Sequence, residues 1–174
     1  MLKRPSSEEY NPYFTGYISL VPEGNVTEHI ASQLQVTTDL LSSLTDNEAV
    51  YRYAPEKWSL KEVIGHVTDT ERVMSYRLLR ISRGDTTPLP GFDQDELMKG
   101  AQYHEWSVSD LLQDYAAVRR ATLTLLRGIP EEAWLRTGTV SDRNCSARAL
   151  AYIIAGHELH HLNVIREKYL PATV

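Results

Sequence analysis

Four long stretches in which apolar residues recur every three or four positions constrain the fold of this chain more than any other feature. Such spacing puts the apolar side chains on one face of a helix, and that face must be buried against other elements. Hardly any stretch alternates between apolar and polar residues, so strands are not expected. We predict helices over about 26–44, 59–84, 107–128 and 146–169. The predicted fold is therefore all-α, a four-helix bundle over a single domain of residues 1–174.

Residues that favour helix ends lie at the predicted boundaries. Ser59 and Glu62 have the spacing of a capping box ahead of the second helix. Asn25 and Ser146 are suitable caps for the first and the last helix. Pro171 is predicted to end the last helix, because proline cannot continue it.

The predicted connections differ in length. Residues 1–25 mix proline, glycine and aromatic residues without a period, which predicts an irregular N-terminal arm laid on the bundle. Residues 85–106 are polar and too long for a tight turn, so we expect a long crossover or lid between the second and third helices. Residues 131–135 resemble a short extra turn, and residues 136–144 are turn-forming.

Composition excludes several classes of protein. The formal net charge is -5 and the pI is about 5.7, which argues against nucleic acid or an anionic membrane as a partner. No run of eighteen apolar residues and no secretory signal is recognisable, so a cytoplasmic protein is expected. Cys145 is the single cysteine, which rules out an internal disulfide, and we predict it to be inert.

The last predicted helix carries a pair of histidines suited to binding a metal ion. His157 and His161 are four residues apart and therefore point from the same face. Leu150 and Val164 lie at nearby helical angles, which predicts that this face is turned to the bundle interior. An exposed polar face is the alternative. Two buried imidazoles without a partner are costly, so we predict that they bind metal.

Catalytic zinc sites commonly use three protein ligands, so a third has to come from elsewhere. His66 is the best candidate, because it shares a stripe with apolar residues of the second helix, although a packing role is the alternative for it. His29, near a helix start, and His104, in the crossover, are weaker candidates. Asp69 could orient a ligand, but a solvated helix face is the preferred interpretation.

A protease signature overlaps the same segment, since residues 157–161 satisfy the H-E-x-x-H pattern. That class needs a further ligand and a substrate cleft downstream, and only thirteen residues follow His161. We therefore interpret the match as a coincidence. A general-base role for Glu158 is kept as a hypothesis, and His160 is expected on the flank. Trp58, Trp106 and Trp134 are predicted to plug the core rather than form a binding site.

Several segments in the right order resemble the DinB-like superfamily, which includes YfiT-type metal-dependent hydrolases. The segments run from Trp58 to Asp69, from Gly91 to Asp93 and from Gly156 to Arg166, within a likeness that covers residues 26–169. The resemblance implies an up-up-down-down bundle with a crossover after helix two. It also implies a nickel or zinc ion on His66, His157 and His161. Some members are similar to S-transferases that use a low-molecular-weight thiol, bacillithiol or mycothiol, and others are called hydrolases.

The leading hypothesis is a metal-dependent hydrolase or thiol S-transferase that acts on a small-molecule substrate. The ion would be a divalent transition metal, zinc or nickel before others. The alternative is a non-catalytic metal-binding stress-response module in which the metal is structural. Leu159 and Leu162 lie away from the histidine stripe, which predicts a homodimer through an apolar outer face. The sequence does not identify the catalytic residues.

Overall fold

A computed structural model describes residues 2–170 of the chain. The helices are α1 (Thr15–Leu20), α2 (Val26–Leu41), α3 (Asp46–Ala49), α4 (Leu60–Ser82), α5 (Gln94–Gly100), α6 (Val108–Arg127) and α7 (Ala147–Val164). The strands are β1 (Thr137–Val140) and β2 (Arg143–Ser146), and a π-helical turn at Ile165–Tyr169 extends α7. The four long helices form the predicted bundle, in which α2 and α4 each pack against both α6 and α7. Pro171, the predicted stop of the last helix, lies outside the described residues.

The predicted helix starts are confirmed by their caps. The Ser59 hydroxyl and the Glu62 carboxylate cap each other's backbone N–H at the start of α4. Asn25 and Ser146 cap α2 and α7 through one side-chain acceptor each. The first predicted helix, α2, ends at Leu41 rather than at residue 44, because a second capping box, at residues 45–48, starts α3 immediately afterwards.

Contacts at the helix ends fix the directions of α4, α6 and α7. The Tyr169 hydroxyl, beyond the end of α7, donates to the Trp58 carbonyl ahead of α4 at 2.7 Å, so α4 and α7 are antiparallel. Arg83 at the end of α4 donates to the Gly128 carbonyl at the end of α6, so α4 and α6 are parallel. A long crossover between two consecutive parallel helices is what residues 83–107 provide.

The direction of α2 shows that the up-up-down-down order implied by the family resemblance is wrong. Gln33 donates to the Ala155 carbonyl at 2.9 Å, and one turn later Thr37 donates to Glu158 at 2.5 Å. Residue numbers increase in the same direction along both helices, so α2 is parallel to α7. The helices α2, α4, α6 and α7 therefore run up-down-down-up instead of up-up-down-down. Only the crossover joins two long helices that run in the same direction.

Both long connections contain structure that the sequence did not predict. Residues 137–146 form an antiparallel hairpin whose two-residue turn, Ser141 and Asp142, has φ of 49° and 61°. Leu89 of the crossover pairs with the hairpin, donating to the Thr139 carbonyl at 2.8 Å. The crossover also contains α5, capped by Asp93. Four-residue strands joined by a turn without glycine carry little sequence signal.

The N-terminal arm is not irregular throughout, because residues 15–20 form α1 and pack on α7. Gly156 of α7 makes this close approach feasible, since a Cβ there would meet the Tyr17 carbonyl oxygen at 2.0 Å. The Arg4 guanidinium donates to the Ile18 and Val21 carbonyls, which fastens the chain on both sides of the end of α1.

Most of the last helix is buried, which removes the basis of the predicted dimer surface. Leu162 is 2% exposed, and Leu159 is half-buried against the core. These two leucines do not form an apolar outer face, so the homodimer stays a prediction without that support. Within residues 2–170, no helix combines the length and apolar character needed to cross a membrane.

Candidate metal centre

Three imidazoles from two helices meet inside the bundle. His66 of α4 and His161 of α7 place Nε2 at 3.1 Å and 3.2 Å from the Nε2 of His157. All three ligand nitrogens lie within 4.8 Å of one another. Four-residue spacing stacks His157 and His161 on one face of α7, and the antiparallel α4 brings His66 to the same level. The structure thus brings together the three residues proposed from the sequence.

Burial keeps these imidazoles neutral. Burial first, and neighbouring imidazoles second, lower the pKa of His66 to about 4 and that of His161 to about 3. Burial likewise places the pKa of His157 well below its usual range. Neutral imidazoles offer lone pairs, which is the state that binds a metal.

The nitrogen geometry fits a metal ion. The His157 Nε2 approaches two other Nε2 atoms, but a neutral ring carries one N–H and cannot donate to both from one nitrogen. Three nitrogens at metal–nitrogen distances of about 2.0–2.1 Å would lie about 2.8–3.4 Å apart in octahedral or tetrahedral geometry. The two short distances observed fall in that range.

Two aromatic rings enclose the imidazoles, and sequence reasoning missed both. Trp58 lies with its ring centroid 4.6 Å from that of His66, so it is a wall of the site rather than only a core plug. Tyr17 of α1 contacts His157 edge to face at 5.3 Å and His160 at 5.2 Å. Trp58 could have been suspected from its place one residue before the α4 cap, whereas nothing in the arm singles out Tyr17.

The Glu158 carboxylate lies in a buried hydrogen-bond network, which does not suit a catalytic role. Its carboxylate is 1% exposed and accepts hydrogen bonds at 2.5 Å from the hydroxyls of Thr37 and Tyr115 and from the Arg119 guanidinium. A carboxylate held by three donors is committed to structure, so the general-base hypothesis finds no support in the geometry. The coincidental interpretation of the H-E-x-x-H match agrees with this arrangement.

Arg119 organises a buried ionic cluster between the helices. It donates to both carboxylate oxygens of Glu71 and to Glu158, and also to the Ile30 carbonyl at 2.8 Å. Burial disfavours the charged guanidinium, but the two carboxylates outweigh it and leave the pKa of Arg119 above its ordinary value.

The weaker candidates for metal ligands lie elsewhere. The Nε2 of His29 is 3.2 Å from the Glu23 carbonyl oxygen, and His104 is exposed beside Glu105. His160 is half-buried, on the flank as predicted, with its ring 5.0 Å from that of His161.

Asp69 neither orients a histidine nor is simply solvated. It accepts hydrogen bonds from the Tyr103 hydroxyl at 2.6 Å and from Arg72 at 3.1 Å. The Tyr103 ring lies over Gly65, where a Cβ would come within 2.3 Å of it. Asp69 therefore fastens the crossover to α4.

Cys145 is 3% exposed, and burial raises the pKa of its thiol to about 12. A buried neutral thiol is a weak nucleophile and a poor metal ligand. The structure agrees with the prediction that this cysteine is inert.

A cavity of about 290 Å³ reaches His157. Its walls include Tyr17 of the arm, Thr70 and Arg77 of α4, and Phe92 of the crossover. A space of this size holds a small organic molecule rather than a polymer chain.

Comparison with known proteins identifies relatives of this architecture. The sequence model of the DinB superfamily matches residues 29–165, a span that includes all three clustered histidines. The chain is similar to a solved structure of YfiT from Bacillus subtilis, described as a probable metal-dependent hydrolase with an unusual four-helix bundle topology. The TM-score is 0.74 at 15% identity, over 98% of this chain and 94% of that chain, a likeness that shows the fold. No curated protein matches the sequence.

Proposed function

Because the chain belongs to the DinB superfamily, we propose that it is a metal-dependent enzyme acting on a small molecule. His66, His157 and His161 hold one divalent transition-metal ion in this proposal. The observation that carries it is the convergence of three ligand nitrogens within 4.8 Å, beside a cavity that His157 lines. A bound ion would supply Lewis acidity, which lowers the pKa of a water or thiol and polarises an electrophile.

The donor set supports a transition metal. Three neutral nitrogens suit zinc or nickel, whereas magnesium and calcium prefer oxygen ligands. No Asp or Glu is among the described residues that line the cavity or among the three ligands.

The proposal covers two reactions, hydrolysis and thiol S-transfer, and the cavity lining bears on the choice. Without a carboxylate in the described lining, no acidic side chain is placed to take a proton from the nucleophile. A thiol that coordinates zinc is deprotonated outright, whereas water bound to aqueous zinc has a pKa of about 9. This favours a low-molecular-weight thiol as nucleophile. Hydrolysis remains the second candidate, supported by the description of YfiT.

Elemental analysis tests the metal site directly. The purified wild-type protein is expected to contain one zinc or nickel ion per chain, and His157→Ala is expected to lose it. His104→Ala removes an exposed histidine and serves as the matched control. Equal metal content in wild type and His157→Ala would refute the proposed ligand set. Thiol-transfer and ester-hydrolysis panels on the metal-loaded protein then separate the two reactions.

A non-catalytic role is the alternative from another class. Because the ligands come from α4 and α7, an ion could simply fasten these two helices. In that case chelation lowers the melting temperature, while no thiol perturbs the visible spectrum of the cobalt-substituted protein. A thiol-dependent spectral change would instead demonstrate an open coordination position and support the enzyme.

A further inference from the structure

Arg77 is a buried cation without an anionic partner. Its side chain lies on the cavity, and the residue is 3% exposed. It donates to the Met74 sulfur at 3.5 Å and to the Pro90 carbonyl at 2.6 Å, and it stacks on the Phe92 ring at 5.3 Å. No carboxylate within residues 2–170 forms an ion pair with it.

The nearby titratable group does not neutralise this charge. Cys145 acts electrostatically on Arg77, but burial raises the pKa of the thiol to about 12, so it is uncharged near neutral pH. Arg119, the other buried arginine of the bundle, shows the usual solution, because two carboxylates surround it. A buried charge with neutral partners alone is costly unless a ligand completes it.

A second unsatisfied group lies on the same cavity. Thr70 is 5% exposed, and its Oγ1 is buried without a hydrogen-bond partner. Thr70 and Arg77 line the cavity together with His157. An unpaired hydroxyl and an uncompensated guanidinium on one wall are what an anionic ligand would satisfy.

Thr70, Arg77 and His66 lie along one face of α4. Thr70 and Arg77 follow His66 by four and eleven residues, about 40° and 20° around the helix, so the three share one stripe. The Arg77 guanidinium reaches Met74, three residues earlier, so it leans towards the His66 end of α4. The Cα atoms of His66 and Arg77 are about 16 Å apart along the axis, a span that a small extended molecule can bridge with both side chains reaching inward.

We infer that Arg77 and Thr70 form a carboxylate-binding subsite, which anchors one end of the small-molecule substrate while its reactive end lies at His66, His157 and His161. The placement of the reactive end rests on the proposed function, but the subsite itself does not. One guanidinium and one hydroxyl match the single charge and two oxygens of a carboxylate. A phosphate monoester carries a charge of about -1.5 to -2 and three acceptor oxygens, for which these donors are too few.

The test is a binding comparison with matched probes on the full chain. Unbranched mercaptocarboxylic acids of increasing length, their primary amides and the corresponding alkyl phosphates are titrated by calorimetry into metal-loaded and metal-stripped protein. At the optimal length the acid is expected to bind at least about tenfold more tightly than its amide, since the hydrogen bonds to Arg77 are charge-assisted. Arg77→Gln is expected to abolish this preference, and Thr70→Val to reduce it several-fold.

Arg83→Gln is the matched control, because Arg83 is an exposed arginine at the end of the same helix. It is expected to keep the preference for the acid. Should Arg77→Gln fail to fold by thermal melting, Thr70→Val and Arg77→Lys carry the test, and an unchanged preference in both overturns the inference. Equal binding of acid and amide to the wild type also overturns it, as does tighter Arg77-dependent binding of the alkyl phosphate.

The same titrations separate this inference from the proposed function. An Arg77-dependent preference that persists in stripped protein, together with no histidine-dependent metal, supports the subsite and refutes the metal enzyme. Histidine-dependent metal without any preference for the acid refutes the subsite alone.

Discussion

At the scale of single residues, His157 and Glu158 are neighbours on α7 but belong to different side-chain clusters. His157 faces the cavity and the other two imidazoles, whereas Glu158, one residue later, faces the Arg119 cluster. A helix turns by about 100° per residue, so the side chains of adjacent residues point in different directions. Sequence spacing identifies the His157 and His161 pair, but it cannot identify the partners of Glu158, which come from α2 and α6.

Glu158→Gln is predicted to separate structure from metal binding. Loss of the negative charge weakens the hydrogen bond from Arg119, and we expect the free energy of unfolding to fall by about 1–3 kcal/mol. Metal content per folded chain should not change, because the carboxylate is not a ligand. Urea titration and elemental analysis measure the two effects, with exposed Glu105→Gln as control. A Glu158→Gln protein that is as stable as wild type but free of metal would contradict this assignment.

At the scale of elements, the close approach of α1 to α7 depends on one glycine. Gly156→Ala would bring a Cβ to within 2.0 Å of the Tyr17 carbonyl oxygen, so α1 must move away. We expect a loss of about 1–3 kcal/mol in urea titrations, as for other overpacked interfaces, and faster proteolysis of the arm. Gly100→Ala at the end of α5 meets no atom within 4 Å and should be tolerated. Similar losses in both variants would show that the effect is not steric.

A second contact of the arm predicts a pH dependence. Hydrogen bonds from Arg148 are the largest influence on Glu9 and lower the pKa of its carboxyl from 4.5 to about 2, against the effect of burial. The unfolded chain therefore binds the proton more readily, and this stabilisation is present above pH 4.5 and is lost as the pH falls towards 2. Glu9→Gln should be less stable than wild type near pH 7, by at most about 1 kcal/mol because solvent screens the pair.

Thermal melts from pH 7 to pH 2 measure that difference, which should shrink on acidification. Glu8→Gln changes an exposed neighbour and should melt like wild type throughout. A difference between Glu9→Gln and wild type that is constant over this range would disprove the linkage.

The elements differ in how far the sequence predicts them. Long helices with caps, such as α4 after Ser59, are predicted to within a few residues because periodicity and capping are local. The hairpin at residues 137–146 depends on pairing with Leu89, some fifty positions earlier, which no local pattern reveals. The site divides in the same way, since His157 and His161 share a helix face, whereas Tyr17 and Arg77 join them only through tertiary packing.

At the scale of the whole molecule, the up-down-down-up order determines how the site is built. The crossover makes α4 and α6 parallel, and α7 then returns antiparallel to α4. His66, near the start of α4, thereby meets His161, near the end of α7, and the rest of both helices frames the cavity towards Arg77. The two ends of the proposed substrate are thus recognised by different turns of one helix, α4.

This architecture couples metal binding to global stability. An ion that bonds α4 to α7 binds the folded chain better than the unfolded one, so metal-stripped protein should melt at higher temperature as zinc is added. At a free concentration about one hundred times the dissociation constant the gain is about 2.7 kcal/mol, or about 5–11 °C for a chain of this size. His66→Ala removes the α4 ligand and should abolish the shift, whereas His29→Ala, whose ring lies near the Glu23 carbonyl, should retain it. A zinc-dependent shift of equal size in His66→Ala would mean that the ion is held without α4, and the link between the two helices would have to be abandoned.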